Sequence, residues 1–154
     1  MYPNYKRTAP PRTSPSLPMR YLYRKGLLYG DMLDYGSGLG FDANYYRMDS
    51  FDIEWHPDYS IFNKKYDVIT CNFVLNVVPE ETQNEIISQI YKLLKNTGTS
   101  YFSVSRYLKN NTITKWTEQR LVYLPFESIH TKKGVYELYK MRREDYEKFL
   151  LTKS

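Results

Sequence analysis

Three glycines at every second position, Gly36, Gly38 and Gly40, follow the short apolar run Met32-Leu-Asp-Tyr35. No other stretch restricts the fold as much. Glycine has no side chain to block a ligand and reaches backbone angles closed to other residues. A strand, a glycine-rich turn and a following helix place free backbone N–H groups at the carboxyl edge of a parallel sheet, where nucleotide-like ligands bind. Gly-x-Gly-x-Gly is not the dinucleotide fingerprint, which needs a wider gap before its last glycine. At this point a tight turn in some other α/β protein is the competing reading.

The flanking segments supply the rest of an α/β pattern. Helical spacing begins near Met19 (Met19, Leu22, Tyr23) and stops around Gly26. A helix is predicted over 41–47 and a short second strand over 50–53. The β-branched run 68–71 reads as a buried parallel strand. Residues 72–78 then form a loop or helical turn facing the glycines. After Pro79, Ile86, Ile87, Ile90, Leu93 and Leu94 share one helix face, with Glu80 and Glu81 in the first turn, Lys92 and Lys95 in the last, and Gly98 as the stop. A strand over 99–104 delivers Ser105 and Arg106 to the same edge as the glycines. Residues 121–129 and 134–141 read as two strands joined at Thr131-Lys-Lys-Gly134, an antiparallel edge pair, and 142–151 as a short helix or tail.

Length and charge set the limits. The chain has 154 residues, enough for one domain with a real core. Residues 1–18 hold five of the eight prolines and read as an extended basic arm, leaving 19–154 as the domain. Residues 1–30 carry six basic side chains and no acid, residues 31–105 five basic and eleven acidic, and residues 106–154 eleven basic and six acidic. An acidic middle between basic ends suits a polyanionic substrate, nucleic acid first, although a solvated basic surface gives the same count. Cys71 stands alone, which excludes an internal disulfide and a cysteine metal cluster and fits a reducing, cytoplasmic compartment. His56 and His130 lack metal-ligand spacing, so no metal is expected. No apolar run reaches membrane length and no signal peptide is visible.

Asp52, twelve residues past Gly40, falls at or near the end of the second strand, where an acid in Rossmann-like folds accepts hydrogen bonds from ribose hydroxyls. Glu54 is the alternative if the strand end shifts by two. Trp55 either lines the pocket or closes a core edge. Only about a dozen residues separate Ile53 from Tyr66, too few for a helix, a strand and a second helix, so that crossover is expected to be cut to a loop.

Asp34-Tyr-Gly36-Ser-Gly38-Leu-Gly40 after an apolar strand resembles motif I of the class I S-adenosylmethionine-dependent methyltransferases. A wider resemblance runs through Arg7-Thr-Ala, Ser16-Leu-Pro-Met-Arg20, Leu33 to Asp42, Tyr66-Asp-Val-Ile-Thr-Cys-Asn-Phe-Val-Leu-Asn-Val-Val-Pro79 and Ser103-Val-Ser-Arg106. These segments are similar to small bacterial and phage methyltransferase-domain proteins, including those associated with DNA phosphorothioation. Those relatives often have cysteine where Ser37 stands, and a Gly-Thr-aromatic-Gln segment where this chain reads Trp116-Thr-Glu-Gln119. The resemblance implies an abbreviated Rossmann-like α/β sheet, mostly parallel, with S-adenosylmethionine as cofactor. Gly36, Gly38 and Gly40 would face its methionine part, Asp34 would orient the turn and meet the amino group, and Asp52 would hold the ribose. Cys71 and Asn72 would border the adenine or the methyl, Cys71 as a small buried residue and not a nucleophile.

For the acceptor, Asn72, Asn76, Arg106 and Arg7 are the polar candidates, with Arg7 and Arg20 suited to a phosphate or carboxylate. Plainer roles compete: Asn76 as a helix cap, Arg7 and Arg20 as solvated charges. Asn72-Phe-Val-Leu lacks the two prolines of the amino-methylating DNA enzymes, and no paired cysteine suggests cytosine C5 chemistry. Three functions stand: a methyltransferase acting on DNA or RNA through the basic flanks, one acting on a small metabolite or protein, and a non-catalytic cofactor-binding protein. A monomer or small homo-oligomer without membrane contact is expected.

Overall fold

The computed structural model describes residues 12–115 and 117–153. Arg7 and Trp116 therefore lie outside the described residues.

Alternation decides the layers. Helix α1 (Leu17–Arg24) carries Pro18 in its first turn, where the missing N–H costs nothing, and buries Met19 and Leu22. Strand β1 (Met32–Tyr35) runs into the glycine turn, then α2 (Phe41–Tyr46) and β2 (Asp49–Phe51). A 3₁₀ turn (Tyr59–Asn63) is all that fills the crossover before β3 (Tyr66–Asn72). A second 3₁₀ turn (Leu75–Val77) leads to α3 (Glu80–Leu93), β4 (Leu94–Ser105), a two-residue hairpin pair β5 (Thr112–Ile113) and β6 (Glu118–Gln119), β7 (Glu127–Lys132), β8 (Tyr136–Arg142) and α4 (Arg143–Thr152).

The main sheet runs β2-β1-β3-β4-β8-β7. The first four strands are parallel, and β8 and β7 close the edge antiparallel. The shortened crossover leaves β2 as the outer parallel strand, as the residue count requires. Along β1 and β3, successive side chains go to opposite faces. Leu33, Tyr35, Ile69 and Cys71 pack with Ile86, Ile87, Ile90 and Leu93 of α3 and Tyr146 of α4. Val68, with Tyr101 and Leu138, packs on the other face against Met19, Leu22 and Ala43 from α1 and α2. Two helical layers thus cover one sheet, so the inner parallel strands β1, β3 and β4 are buried on both faces, while the outer strand β2 buries only Phe51.

Two sequence expectations are corrected. Gly98 does not stop α3. The helix ends at Leu93, and Leu94 already pairs with Tyr66 on β3. The pairing then shifts, so that Val68 faces Thr99 and the extra residues 95–98 bulge out. A Cβ at Gly98 would sit 2.7 Å from the Tyr66 carbonyl oxygen, which explains the glycine as a close backbone approach. Lys95 belongs to this bulge and pairs with Asp31 and Asp67 instead of closing a helix. Residues 121–126 are not strand. The Arg120 N–H donates to the Asn76 carbonyl and the Leu121 N–H to Asn111 Oδ1, so this segment takes its backbone partners from loops. Its apolar residues Val122, Leu124 and Phe126 cover the α3–α4 face, which reads in sequence like strand alternation.

Candidate cofactor and acceptor site

All three glycines of the turn have positive φ, +78° at Gly36, +58° at Gly38 and +85° at Gly40. A Cβ at Gly36 would lie 2.3 Å from Val74 Cγ2, so this position is closed to a side chain by packing as well as by backbone conformation. At Gly40 a Cβ would meet nothing within 4 Å, which marks open space beside the turn.

The amides of Gly36, Ser37, Gly38 and Gly40 are not free, contrary to the sequence expectation. Gly36 and Ser37 N–H both donate to the Phe51 carbonyl, at 2.7 and 3.0 Å, and Gly40 N–H donates to the Ser37 carbonyl. Gly38 N–H donates to Asp52 Oδ2 at 2.7 Å. The turn folds back on the tip of β2 and satisfies itself there. Asp52 is 1% exposed, and its other oxygen accepts the N–H groups of Glu54 and Trp55 at 3.0 and 3.2 Å. One carboxylate therefore ties the glycine turn to the loop after β2. Glu54 is half-buried and Trp55 exposed on that same loop.

Asp34 lies on the α1–α2 face, 3% exposed, accepting a hydrogen bond from Thr70 Oγ1 at 2.9 Å. Burial, reinforced by the nearby Asp42 and Asp52 carboxylates, pushes its pKa up to about 8, against the opposing pull of Thr70. Asp34 is thus a neutral carboxyl at neutral pH, a hydrogen-bonding strut under the turn. Asp42, in the first turn of α2, accepts both the Ser16 N–H (2.9 Å) and the Ser16 hydroxyl (2.8 Å). This clasp holds the segment before α1 against the glycine turn. Sequence reading overlooked it; an Asp two residues past the last glycine was the available signal.

At the tip of β3, Cys71 is fully buried, and burial raises its thiol pKa well above the usual value, next to Asp34. It is not a nucleophile in this state. Asn72 accepts a hydrogen bond from Ser103 Oγ through Oδ1 at 2.7 Å. Asn76 Nδ2 donates to Gln119 Oε1 at 3.0 Å. Phe73, between them, holds a positive φ of 58°, uncommon for an aromatic residue. Among the described residues, three buried side-chain polar atoms have no hydrogen-bond partner: Ser37 Oγ, Asn72 Nδ2 and Asn76 Oδ1. Orphaned buried polar atoms each cost roughly 1–3 kcal/mol, and their grouping on the glycine turn and the β3 tip points to a ligand that satisfies them.

Two arginines are committed elsewhere. Arg106 ends β4 at the expected edge, but its guanidinium pairs with Glu137 at 2.7 Å, donates to the Tyr139 hydroxyl and stacks 4.2 Å from the Tyr123 ring centroid. Arg20 donates to the Pro15 carbonyl and Ser14 Oγ. Among the described residues no His/Cys/Asp/Glu group is placed to hold a metal ion, and no helix is long and apolar enough to cross a membrane.

The arrangement suits S-adenosylmethionine. A bare turn with open space at Gly40, an unpartnered Ser37 hydroxyl and an acid at the tip of β2 are what a ligand with an amino-acid end and a ribose requires.

The chain matches the family model described as 25S rRNA (adenine(2142)-N(1))-methyltransferase, Bmt2, over residues 57–154. That match begins after the glycine turn and includes β3, Asn72 and Asn76. No curated protein matches the chain by sequence. In three dimensions it is similar to the 1,6-didemethyltoxoflavin-N1-methyltransferase of Burkholderia thailandensis bound to its substrate and S-adenosylhomocysteine, at 15% identity and TM-score 0.60, covering 79% of this chain and 74% of that one. A hypothetical protein of Thermus thermophilus is similar at 15% identity and TM-score 0.57, over 87% and 90%. The DhpI–S-adenosylhomocysteine complex follows at 13% identity and TM-score 0.51, over 80% and 81%. At these identities the likeness is one of fold, and its coverage reaches beyond the residues of the family match.

Proposed function

Because the chain belongs to the 25S rRNA (adenine(2142)-N(1))-methyltransferase family, Bmt2, and is an S-adenosylmethionine-dependent methyltransferase, we propose that its acceptor is an adenine ring nitrogen in RNA. The observation that carries this reading is the pair of orphaned amide atoms after β3. Asn72 Nδ2 is a donor without an acceptor, and Asn76 Oδ1 an acceptor without a donor. Adenine offers both partners on one edge, the N7 acceptor and the N6 amino donor, which leaves the lone pair of another ring nitrogen free to attack. When bound, the cofactor supplies an already electrophilic methyl group. The chain's task is then to hold the base in line, align one ring nitrogen and exclude water.

The chemistry of the residues favours a ring nitrogen over an exocyclic amine or a hydroxyl. A ring nitrogen attacks with its own lone pair and has no proton to lose. Asn72, Asn76 and Ser37 carry no titratable group, and the Cys71 thiol is held protonated by burial. A site built from neutral amides suits a nucleophile that needs no base. In this reading Asn72 orients the base, with Ser103 fixing its carbonyl end. Asn76 takes the amino group, with Gln119 fixing its other end.

Labelled methyl transfer tests this directly. The full chain is incubated with methyl-labelled cofactor and, separately, structured RNA, DNA and a small-molecule extract, and labelled products are digested to nucleosides. Label in a methyladenosine from RNA is expected. Asn72→Ala should lower transfer about tenfold to a hundredfold while cofactor affinity changes little. Label confined to DNA or to small acceptors would overturn the RNA reading and favour the alternative substrates. Cofactor binding without transfer to any of these pools would leave a binding protein.

A further inference from the structure

Outside the cleft, the surface formed by α1 and α2 carries four connected aromatic rings. Phe41 stacks on Tyr45 (centroids 6.0 Å apart), Tyr45 meets Tyr46 edge-on (4.8 Å), and Tyr46 meets Tyr23 (5.5 Å). Tyr46 packs on the α1–α2 core and Phe41 is half-buried, but the other two rings stand in water. Tyr45 is 62% exposed and Tyr23 64% exposed. Such exposure costs free energy unless something covers the rings, because each ring keeps a large apolar area in water.

The charged side chains that α1, α2 and their ends expose are all cations: Arg20, Arg24, Lys25 and Arg47. Arg20 lies close to Tyr46, Arg24 and Lys25 follow Tyr23 in the chain with Lys25 over the Tyr21 ring, and Arg47 follows Tyr46. The one acid within the two helices, Asp42, is buried and turned inward to Ser16. Arg12 borders a depression of about 490 Å³ with Leu39, Gly40, Phe41, Asn44 and Tyr45, which joins the ring surface to the glycine turn. Aromatic faces set among cations are the composition that single-stranded nucleic acid needs, since bases stack on the rings and phosphates meet the arginines. An apolar protein partner would not call for five cations, and an acidic peptide would leave the rings unstacked.

We propose that the α1–α2 surface is the platform on which the RNA strand flanking the target adenine docks, its bases stacking on Tyr23 and Tyr45 and its phosphates lying along Arg24 and Arg47. This rests on the RNA reading above and extends it, because it assigns strand affinity to a surface distinct from the polar atoms that hold the target base. The clasp between Ser16 and Asp42 gives the platform a fixed position relative to the glycine turn. Tyr23, Arg24, Tyr45 and Arg47 are exposed, so their loss leaves the fold intact.

The experiment titrates the full chain with a fluorescein-labelled single-stranded RNA of about twelve nucleotides at low salt, alongside Tyr23→Ala/Tyr45→Ala, Arg24→Glu/Arg47→Glu and the control Lys148→Glu on α4. Cofactor affinity is measured on the same samples by calorimetry. Both double variants should lose RNA affinity about tenfold or more, with cofactor affinity within about twofold of the parent. The arginine variant should also show a shallower dependence on salt, and Lys148→Glu should bind RNA like the parent. RNA affinity unchanged in the tyrosine variant would overturn the platform, as would an equal loss in Lys148→Glu or tighter binding of a polyglutamate peptide than of RNA. Cofactor binding with no RNA binding by the parent would also remove the platform while leaving the methyltransferase reading in place. RNA binding lost in the tyrosine variant, together with methyl transfer to small acceptors alone, would keep the platform and sink the proposed acceptor.

Discussion

The two ends of the parallel strands follow opposite rules. At the amino end, where β1, β3 and β4 begin, charge is matched by charge. Lys95 bridges Asp31 and Asp67 at 3.0 Å each, and Lys64 reaches Asp49 at 3.3 Å and Asp31 at 3.6 Å. At the carboxyl end, charge is buried or neutralised, and polar atoms are left without partners. The first end is partly exposed, so its pairs contribute little and are screened by salt. The second is buried, so each unmet atom is expensive. The proposed ligand site lies at the edge where stability is spent.

Substitutions at each end should separate the two, beginning with the largest effect. Gly36→Ala forces a Cβ to 2.3 Å from Val74 in a left-handed backbone, and should cost roughly 2–4 kcal/mol of stability, from overpacking and lost glycine freedom together. Chemical denaturation gives this figure, and cofactor affinity should fall with it. A parent-like midpoint would mean that the turn adapts and is not a rigid cradle.

Asp34→Asn changes the pH response. The folded carboxyl keeps its proton to about 8, whereas the unfolded one loses it near 3.8. The folded state therefore binds the extra proton between these values. Its contribution is complete below about 4 and fades as pH rises through 8. Thermal melts of the parent should lose stability over that window relative to Asp34→Asn, whose curve should be flatter. Identical slopes would place the proton elsewhere.

Ser37→Ala gives a smaller effect with opposite signs. It removes an orphaned hydroxyl, so the free protein should be unchanged or more stable, by up to about 1 kcal/mol, while cofactor affinity drops by about the same amount. If both quantities fell together, the hydroxyl would be structural. Lys95→Gln should be the mildest. Loss of two half-exposed ion pairs should lower the melting temperature only slightly, by an amount that shrinks in high salt, and leave cofactor affinity unaltered.

Much of the carboxyl edge was legible in the chain. Apolar residues before three spaced glycines specify β1 and its turn, and the distance from Ile53 to Tyr66 dictates the missing strand. The face Ile86, Ile87, Ile90 and Leu93 specifies α3. Three things were hidden, for physical reasons. Pairing register is a non-local property, so the bulge at 95–98 gave Lys95 and Gly98 the look of a helix end. Cover over a helix face and alternation in a strand use the same residues, so 121–126 looked like β structure. Side-chain commitment depends on neighbours far along the chain. Arg106 is indistinguishable from a free cation until Glu137, Tyr139 and Tyr123 are brought beside it.

The Asp52 carboxylate has a consequence for how a two-part molecule is read. Its oxygens grip Gly38 on one side and the 54–55 peptide on the other, so neither half of the cleft can shift without moving the other. Fragments of the cofactor should then fail to add up. Adenosine alone and methionine alone should bind far more weakly than the joined compound predicts, and saturating one should improve the other. Recognition in the proposed cleft should then be all-or-none, with one carboxylate joining its two sides, and demethylated product, which keeps both halves, should hold on nearly as firmly as the methyl donor.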